Sequence, residues 1–313
     1  MSASSTISLC IPAYNASNHL PRLLESAQEQ TVDFDEILVY DDCSTDNTAE
    51  VARSYGAEVI SGDENQGCTV GRKRLSKHAS ADWLHFHDAD DMLYPNFVEQ
   101  SHKWMQRDSS PDVVVFSYEE RREDTDEKID VRHFDAEALR EDPVEYTIRT
   151  VINPFCGLYR RDAFLEAGGP DTDPKVHYNE DAAMHCKLAR AGLQFDADPT
   201  VTVVNYHRED SMSQANLVKC ERARYHVLKK CAQFNGDTHG EAIAHELWKI
   251  AAVLASRFEW EVADKAVRLA VQLNGPTPSH GGVLFRGLSM IHPQMALRVR
   301  EALIRCFKPH LRS

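Results

Sequence analysis

Asp82-Trp83-Leu84-His85-Phe86-His87-Asp88-Ala89-Asp90-Asp91 decides how this chain folds. Trp83 to His87 alternates apolar residues in the manner of a short buried strand. The run ends in three carboxylates within four residues, Asp88, Asp90 and Asp91. Such a cluster repels itself and does not pack dry unless a cation compensates it. An oxygen-ligated divalent ion suits the purpose, because Mg²⁺ and Mn²⁺ prefer carboxylates and retain water or phosphate ligands. An acidic, solvated turn would show the same residues, and only the flanking chain separates the two.

Upstream, strands alternate with helices. Thr6 to Ile11 reads as a strand, followed by the loop Pro12-Ala13-Tyr14-Asn15. A helix capped by Ser17 or Asn18 should follow, with Pro21 in its first turn and Leu20, Leu23, Leu24 and Ala27 on one face. Glu36 to Tyr40 predicts a second strand that runs into Asp41-Asp42-Cys43-Ser44-Thr45-Asp46, then a helix through Val51, Ala52 and Tyr55. Glu58 to Ile60 predicts a third strand. The turn Asn65-Gln66-Gly67 leads into a helix bearing Arg72, Lys73 and Arg74. This alternation implies an α/β domain with a mostly parallel sheet. Ligands of such sheets bind beyond the carboxyl ends of the strands, where the three polar loops would converge.

Downstream, a helix through Phe97, Trp104 and Met105 precedes strands at Val113 to Ser117, Phe155 to Tyr159 and Val201 to Tyr206. Glu119 to Asp130 is highly charged and reads as an exposed hairpin or loop. Gly168-Gly169-Pro170 stops a short helix, and Glu180-Asp181 opens another that ends at Gly192. From about Gln214 the pattern is helical only, at roughly 215–234, 240–258, 260–273 and 293–308, with Asn274 to Gly282 as a connector. The expected division is therefore 1–214 and 215–313.

The totals narrow the function. A chain of 313 residues buries a full core and accommodates one large domain plus an appendage. A formal charge of −14 argues against a general nucleic-acid binder. Eight scattered cysteines without a Cys-x-x-Cys pair suit a reducing cytoplasm rather than a zinc site or a disulfide framework. No run reaches the ~18 apolar residues of a spanning helix, so the chain is expected to be soluble or to rest on a membrane.

The ordered set of Ile11-Pro12-Ala13-Tyr14-Asn15, Asp41-Asp42, Asn65-Gln66-Gly67 with Arg72, Asp88-Ala89-Asp90-Asp91, Gly157, Gly168-Gly169 and Glu180-Asp181 closely resembles family 2 glycosyltransferases, inverting enzymes of the GT-A fold. The resemblance covers about residues 6–213. It implies a nucleotide-sugar donor held by Pro12, Tyr14, Asn15, Asp41 or Asp42, Asn65, Gly67, Arg72, Asp88 and Ala89. It implies Mn²⁺ or Mg²⁺ on Asp88 and Asp90, with Asp91 as a further ligand, and Asp181 as the catalytic base. A histidine near the family's end-of-domain loop, here His207 before Ser211-Met212-Ser213, reaches the metal or diphosphate in some relatives. A glycan or lipid-linked hydroxyl would be the acceptor, in bacterial-type polysaccharide or glycoconjugate synthesis.

The chemistry is consistent with those roles. Cleaving a sugar–diphosphate bond develops negative charge that a divalent ion stabilises, and the acceptor hydroxyl needs a base on the opposite face of the sugar. Each residue also has a plainer role: Asp41 and Asp42 as turn residues, Arg72 on a basic helix face, Asp181 as a helix cap. A Rossmann-type oxidoreductase would require glycines after the first strand, and Pro12-Ala13-Tyr14-Asn15 has none. A non-catalytic nucleotide-sugar-binding module is the remaining alternative.

At the C-terminal end, Ala296, Val299, Leu303 and Phe307 recur at helical spacing and predict a buried face. Arg298, Arg305 and Arg312 share another face with Arg300 and Lys308 nearby, opposed only by Glu301 between Met295 and Ser313. A basic amphipathic helix on an acidic protein either rests on anionic lipid, at the inner face of a membrane, or pairs with the acidic body of its own chain or of a second subunit in a homodimer.

Overall fold

The computed structural model describes residues 5–107, 109–208, 216–275, 278, 282–308 and 310. The chain divides into two compact units: Met1–Pro143, Ile152–Thr172 and Lys187–Ser211 in one, and Val144–Val151, Asp173–Cys186 and Met212–Ser313 in the other. The second unit is thus not a simple appendage. It takes two upstream segments into its own core, where Ile148, Val176, Ala183 and Cys186 pack among residues of the C-terminal helices.

The first unit is built on β1 (Ile7–Ala13), a strand buried at every position. Seven residues with no exposed face are the mark of an inner parallel strand covered on both sides. Along it lie β2 (Glu36–Asp41) on one flank and β4 (Trp83–Phe86) on the other, both parallel to it, with β3 (Glu58–Ser61) parallel outside β2. The remaining strands are β5 (Met92–Leu93), β6 (Val113–Arg122), β7 (Lys128–Arg132), β8 (Gly157–Arg160) and β9 (Phe195–His207). Among the described residues the nine-stranded order is β3-β2-β1-β4-β8-β6-β9-β5, with β7 on the flank of β6. The expected mostly parallel sheet is therefore half right: β8 runs antiparallel to both β4 and β6, and β5 antiparallel to β9.

Helices α1 (Leu20–Gln28), α2 (Thr48–Ser54), α3 (Cys68–His78) and α4 (Phe97–Met105) follow the sequence pattern closely. The cap of α1 differs from expectation. His19 occupies that position, because the Ser17 hydroxyl is committed to Asp46 at 2.7 Å. Two short helices, α5 (Ala136–Glu141) and α6 (Pro143–Arg149), went unread, being too short and too polar for a periodicity to register. The acidic segment forms the β6–β7 hairpin, mostly exposed as charge predicts. After α7 (Arg161–Glu166), Gly168 and Gly169 adopt positive φ, the left-handed stop their sequence announces.

The second unit holds most of α6 and the first seven residues of α8 (Glu180–Arg190), and the helices of the C-terminal region complete it. The two expected helices that follow are present as the two arms of α9 (Leu217–Ser256), which meet at a kink where His239 leaves the helical conformation. It packs along α10 (Trp260–Asn274), where a β-carbon on either Gly236 or Gly240 would come within 3.1 Å of Leu273. The connector then yields α11 (Val283–Ile291), which was not expected, and α12 (Pro293–Phe307). On α12 the buried residues are Ala296, Leu297 and Glu301, while Val299, Leu303 and Phe307 are exposed. The expected inward stripe is turned outward because Arg298 and Arg305 face the body. Arg298 binds both oxygens of Asp264 at 2.8 Å, and Arg305 meets Glu301 at 2.9 Å. Arg312, Ser211-Met212-Ser213 and the expected boundary at Gln214 lie outside the described residues.

Gly157 shows how tightly the first unit is closed. A β-carbon there would lie 2.1 Å from the Tyr159 hydroxyl oxygen, and that ring is fully buried against Phe86 and Phe164. Gly157→Ala is expected to lower the unfolding free energy by about 1–3 kcal/mol through overpacking. Urea denaturation checks this, and an unchanged midpoint would mean that Tyr159 can yield.

Candidate active site

Strand order reverses between β1 and β4, since β2 and β3 lie on one side of β1 and β4 on the other. Such a switch point opens a crevice beyond the carboxyl ends of the strands. Three loops border it: Tyr14-Asn15 after β1, Asp41 to Asp46 at the end of β2, and Asp88 to Asp91 after β4.

The first two loops are laced together. Asn15, at φ 48°, accepts from the Thr45 backbone N–H at 2.8 Å through its side-chain oxygen and donates its own N–H to the Ser44 hydroxyl at 2.9 Å. Asp41 accepts from the Ser44 N–H at 3.1 Å. Asp42 is buried and accepts from the backbone N–H groups of Gln66 (3.0 Å) and Gly67 (2.6 Å), so it pins the turn that starts α3. Gly67 has φ 87°, Asn65 is exposed, and Pro12 is buried where Gly71 of α3 passes close by. The Tyr14 ring stands free of this lacing, about half exposed.

The three carboxylates separate into different roles. Asp88 accepts from Arg72 at 2.9 Å, a guanidinium that α3 delivers almost fully buried. Asp90 pairs with Arg208, and its backbone carbonyl oxygen accepts from Arg22. Asp91, expected as a cation ligand, is instead buried and turned toward β9. Its carboxyl accepts from the Asn205 amide at 2.9 Å and the Tyr206 N–H at 2.8 Å. Burial, with Asp88 adding to it, pushes that carboxyl up to about 8 against the pull of those donors. Asp91 therefore ties the turn to β9. Among the described residues no three histidine, cysteine or acidic side chains gather in a metal-ready cluster.

His207, the other expected ligand, lies with its Nε2 3.5 Å from Glu120 rather than with the Asp88–Asp91 turn. Its neighbour Arg208 takes the place facing Asp90 and also approaches Glu123 at 3.6 Å. Glu123 in turn meets Arg22 at 3.1 Å and His19 at 3.3 Å. Sequence reasoning missed Arg22, Glu123 and Arg208. The available signal was parity: successive side chains on an extended segment point to opposite faces, so His207 and Arg208 cannot both face Asp90.

Beneath the turn lies a second feature that went unread. His85 donates from Nδ1 to the Gly157 carbonyl at 2.9 Å, and its Nε2 is 3.1 Å from His87 Nδ1. With His85 Nδ1 carrying its proton, the neutral pair requires His87 Nδ1 to donate to His85 Nε2. Burial pushes His87 down to about 3 and holds His85 well below the usual range, so the two rings stay neutral under the carboxylates. Asp181 belongs to the second unit, in the first turn of α8, partly buried, with its backbone carbonyl accepting from His185 at 2.8 Å.

Residues 8–168, just over half of the chain, match the family model described as "Glycosyl transferase family 2". The chain belongs to that glycosyltransferase family. It is similar to an uncharacterized glycosyltransferase of Haemophilus influenzae, 24% identical over 72% of this chain and 79% of the relative. Two others, an uncharacterized glycosyltransferase of Rickettsia typhi and a putative glycosyltransferase of Bacillus subtilis, are matched over 35% and 48% of their own length. The fold is GT-A. S. aureus TarS, solved in complex with UDP-GlcNAc, superposes over 96% of this chain and 92% of its own with a TM-score of 0.61 at 16% identity. A mannosyltransferase of Pyrobaculum calidifontis, solved with GDP-Man and Mn²⁺, gives a TM-score of 0.61 at 17% identity over 99% of this chain and 83% of its own.

Removing the Asp42 carboxylate should release the turn before α3. Asp42→Ala takes the acceptor away from the Gln66 and Gly67 N–H groups, a cost of about 1–3 kcal/mol. Faster amide exchange at Gln66 and Gly67 is the expected result, and unchanged protection there would show that other contacts hold the turn.

Proposed function

We propose that the chain transfers a sugar from a nucleotide-diphosphate donor to a hydroxyl of a glycan or lipid-linked acceptor, with inversion at the anomeric carbon. The observation that carries this reading is the meeting of Asp88, Asp90, Arg72 and Arg208 at the β1–β4 switch point. Asp88 Oδ2 and Asp90 Oδ1 have no hydrogen bond among the described residues, and both side chains are about one-third exposed. Solvent-accessible carboxylate oxygens are the donors that Mg²⁺ and Mn²⁺ take, and Asp88 and Asp90 would hold the ion. Bound there, it would supply Lewis-acid stabilisation to the departing diphosphate.

The protein's own residues do the rest. Arg72 and Arg208 offer guanidinium donors to phosphate oxygens, whose charge grows as the sugar–phosphate bond breaks. The loop from Pro12 to Asn15 receives the nucleotide, with Tyr14 as the exposed ring. Asp41, Asp42, Asn65, Gly67 and Ala89 shape the walls. Asp181 takes the acceptor proton as the new glycosidic bond forms on the face opposite the leaving group. A single direct displacement inverts the centre and requires no nucleophilic carboxylate. The donors of the two solved neighbours support a nucleotide-sugar. We place the reaction in the cytoplasm, in polysaccharide or glycoconjugate synthesis.

Asp90→Ala is expected to abolish transfer and metal-dependent donor binding with little loss of thermal stability, since it removes one of several crowded carboxylates. Near wild-type turnover of the purified variant under metal-limited conditions would refute the assignment. Asp181→Asn is expected to keep donor affinity while turnover falls by roughly 10²- to 10⁴-fold, the usual contribution of a general base. Equal loss of nucleotide binding, read by titration with the nucleoside diphosphate, would make Asp181 a donor ligand or a structural residue instead.

A further inference from the structure

Helices α11 and α12 carry their apolar residues on the outside. On α11, Phe285 and Ser289 face inward, while Val283, Leu284, Met290 and Ile291 are exposed, Val283 at 89% and Ile291 at 85%. On α12, the outward positions Met295, Val299, Leu303 and Phe307 recur every four residues, with Phe307 exposed at 78%. No charged residue interrupts that row. A solvated helix ordinarily shows the reverse arrangement, with its polar side outward.

The charges around these rows share one sign. From Val283 to Lys308 the charged residues are Arg286, Arg298, Arg300, Glu301, Arg305 and Lys308. The one acid among them, Glu301, is 2% exposed and is paired with Arg305. What the two helices present outward is therefore apolar, with Arg286 and Lys308 as the exposed cations beside it, on a chain whose formal net charge is −14. We propose that the outer faces of α11 and α12 form a docking surface for an anionic lipid bilayer, on which the protein lies without crossing it.

Charge complementarity selects this occupant. A two-fold dimer through the same faces would set the patch against itself and bring cations toward cations. A bilayer interface receives protruding Val, Ile, Met and Phe side chains into its acyl boundary while its anionic headgroups meet Arg286 and Lys308, both exposed. No helix among the described residues is long and apolar enough to span, so the contact is interfacial. This surface does not depend on the proposed transfer reaction, because lipid binding is read without donor or acceptor.

Co-sedimentation of the full chain with phosphatidylglycerol–phosphatidylcholine vesicles, against phosphatidylcholine vesicles alone, tests it. Binding to the anionic vesicles at low salt, weakened as salt rises, is expected. Arg286→Ala and Lys308→Ala should each weaken binding by roughly fivefold, the worth of one basic residue near an anionic surface. Ile291→Glu with Phe307→Glu should abolish it while leaving the circular dichroism spectrum and melting temperature unchanged, since both side chains already stand in solvent. Equal failure to bind either vesicle at low salt overturns the proposal. So does a wild-type dimer, seen by sedimentation velocity, that the double substitution dissociates while vesicle binding is unaffected.

Discussion

Three acidic side chains within four residues, at the end of a buried strand, form the constraint to which the first unit answers. Left alone they would repel one another and resist burial. The fold disperses them. Asp88 meets Arg72 from α3, Asp90 meets Arg208 beyond β9, and Asp91 is taken into hydrogen bonds with Asn205 and Tyr206. Each solution draws on a different element, so the turn becomes the junction at which α3, β4 and β9 are tied. The supporting lattice is largely neutral, with His85 and His87 holding no charge under it. Positive charge is thereby confined to the guanidinium groups that face the crevice.

The same dispersal bears on how a divalent ion would be held. Two carboxylates, each spending one oxygen on an arginine, form an incomplete ligand set. A donor diphosphate would complete it, in keeping with the reluctance of Mg²⁺ to be caged by protein alone. Arg208 then has two anionic partners to choose between, Asp90 and a phosphate, and the Glu123–Arg22–His19 group beside it offers the remaining charge balance.

What could be read from the residues followed the range of the forces involved. β1, β2, β3 and β4 and the helices between them are local in sequence, and their apolar periods and turn residues were enough to place them. The polar loops at their ends followed, because parallel neighbours carry their carboxyl ends to one edge. Long-range pairing was not legible: the antiparallel insertion of β8 between β4 and β6 joins segments some seventy residues apart. For the same reason Asp91 looked like a ligand, since nothing near it in sequence reveals Asn205. His207 was expected at the turn from the resemblance alone, whereas its neighbour Arg208 is the residue that reaches Asp90.

The helical unit shows the limit of periodicity more sharply. An apolar row at three- and four-residue spacing says that one face of α12 is set apart, but not which side the body takes. Here the body takes the narrower face of Ala296 and Leu297, and it does so through charge. Arg298 is engaged by Asp264 and stacks on Trp260, while Arg305 covers Glu301 and lies over Phe258. Guanidinium stems are long enough to bury hydrocarbon while their heads pair, so cationic residues can occupy the inner side of a helix and leave the aliphatic ones outside. A helix packed by its arginines is thus free to spend its hydrophobic face elsewhere, and the absence of any exposed acid on that face determines which kind of surface can receive it.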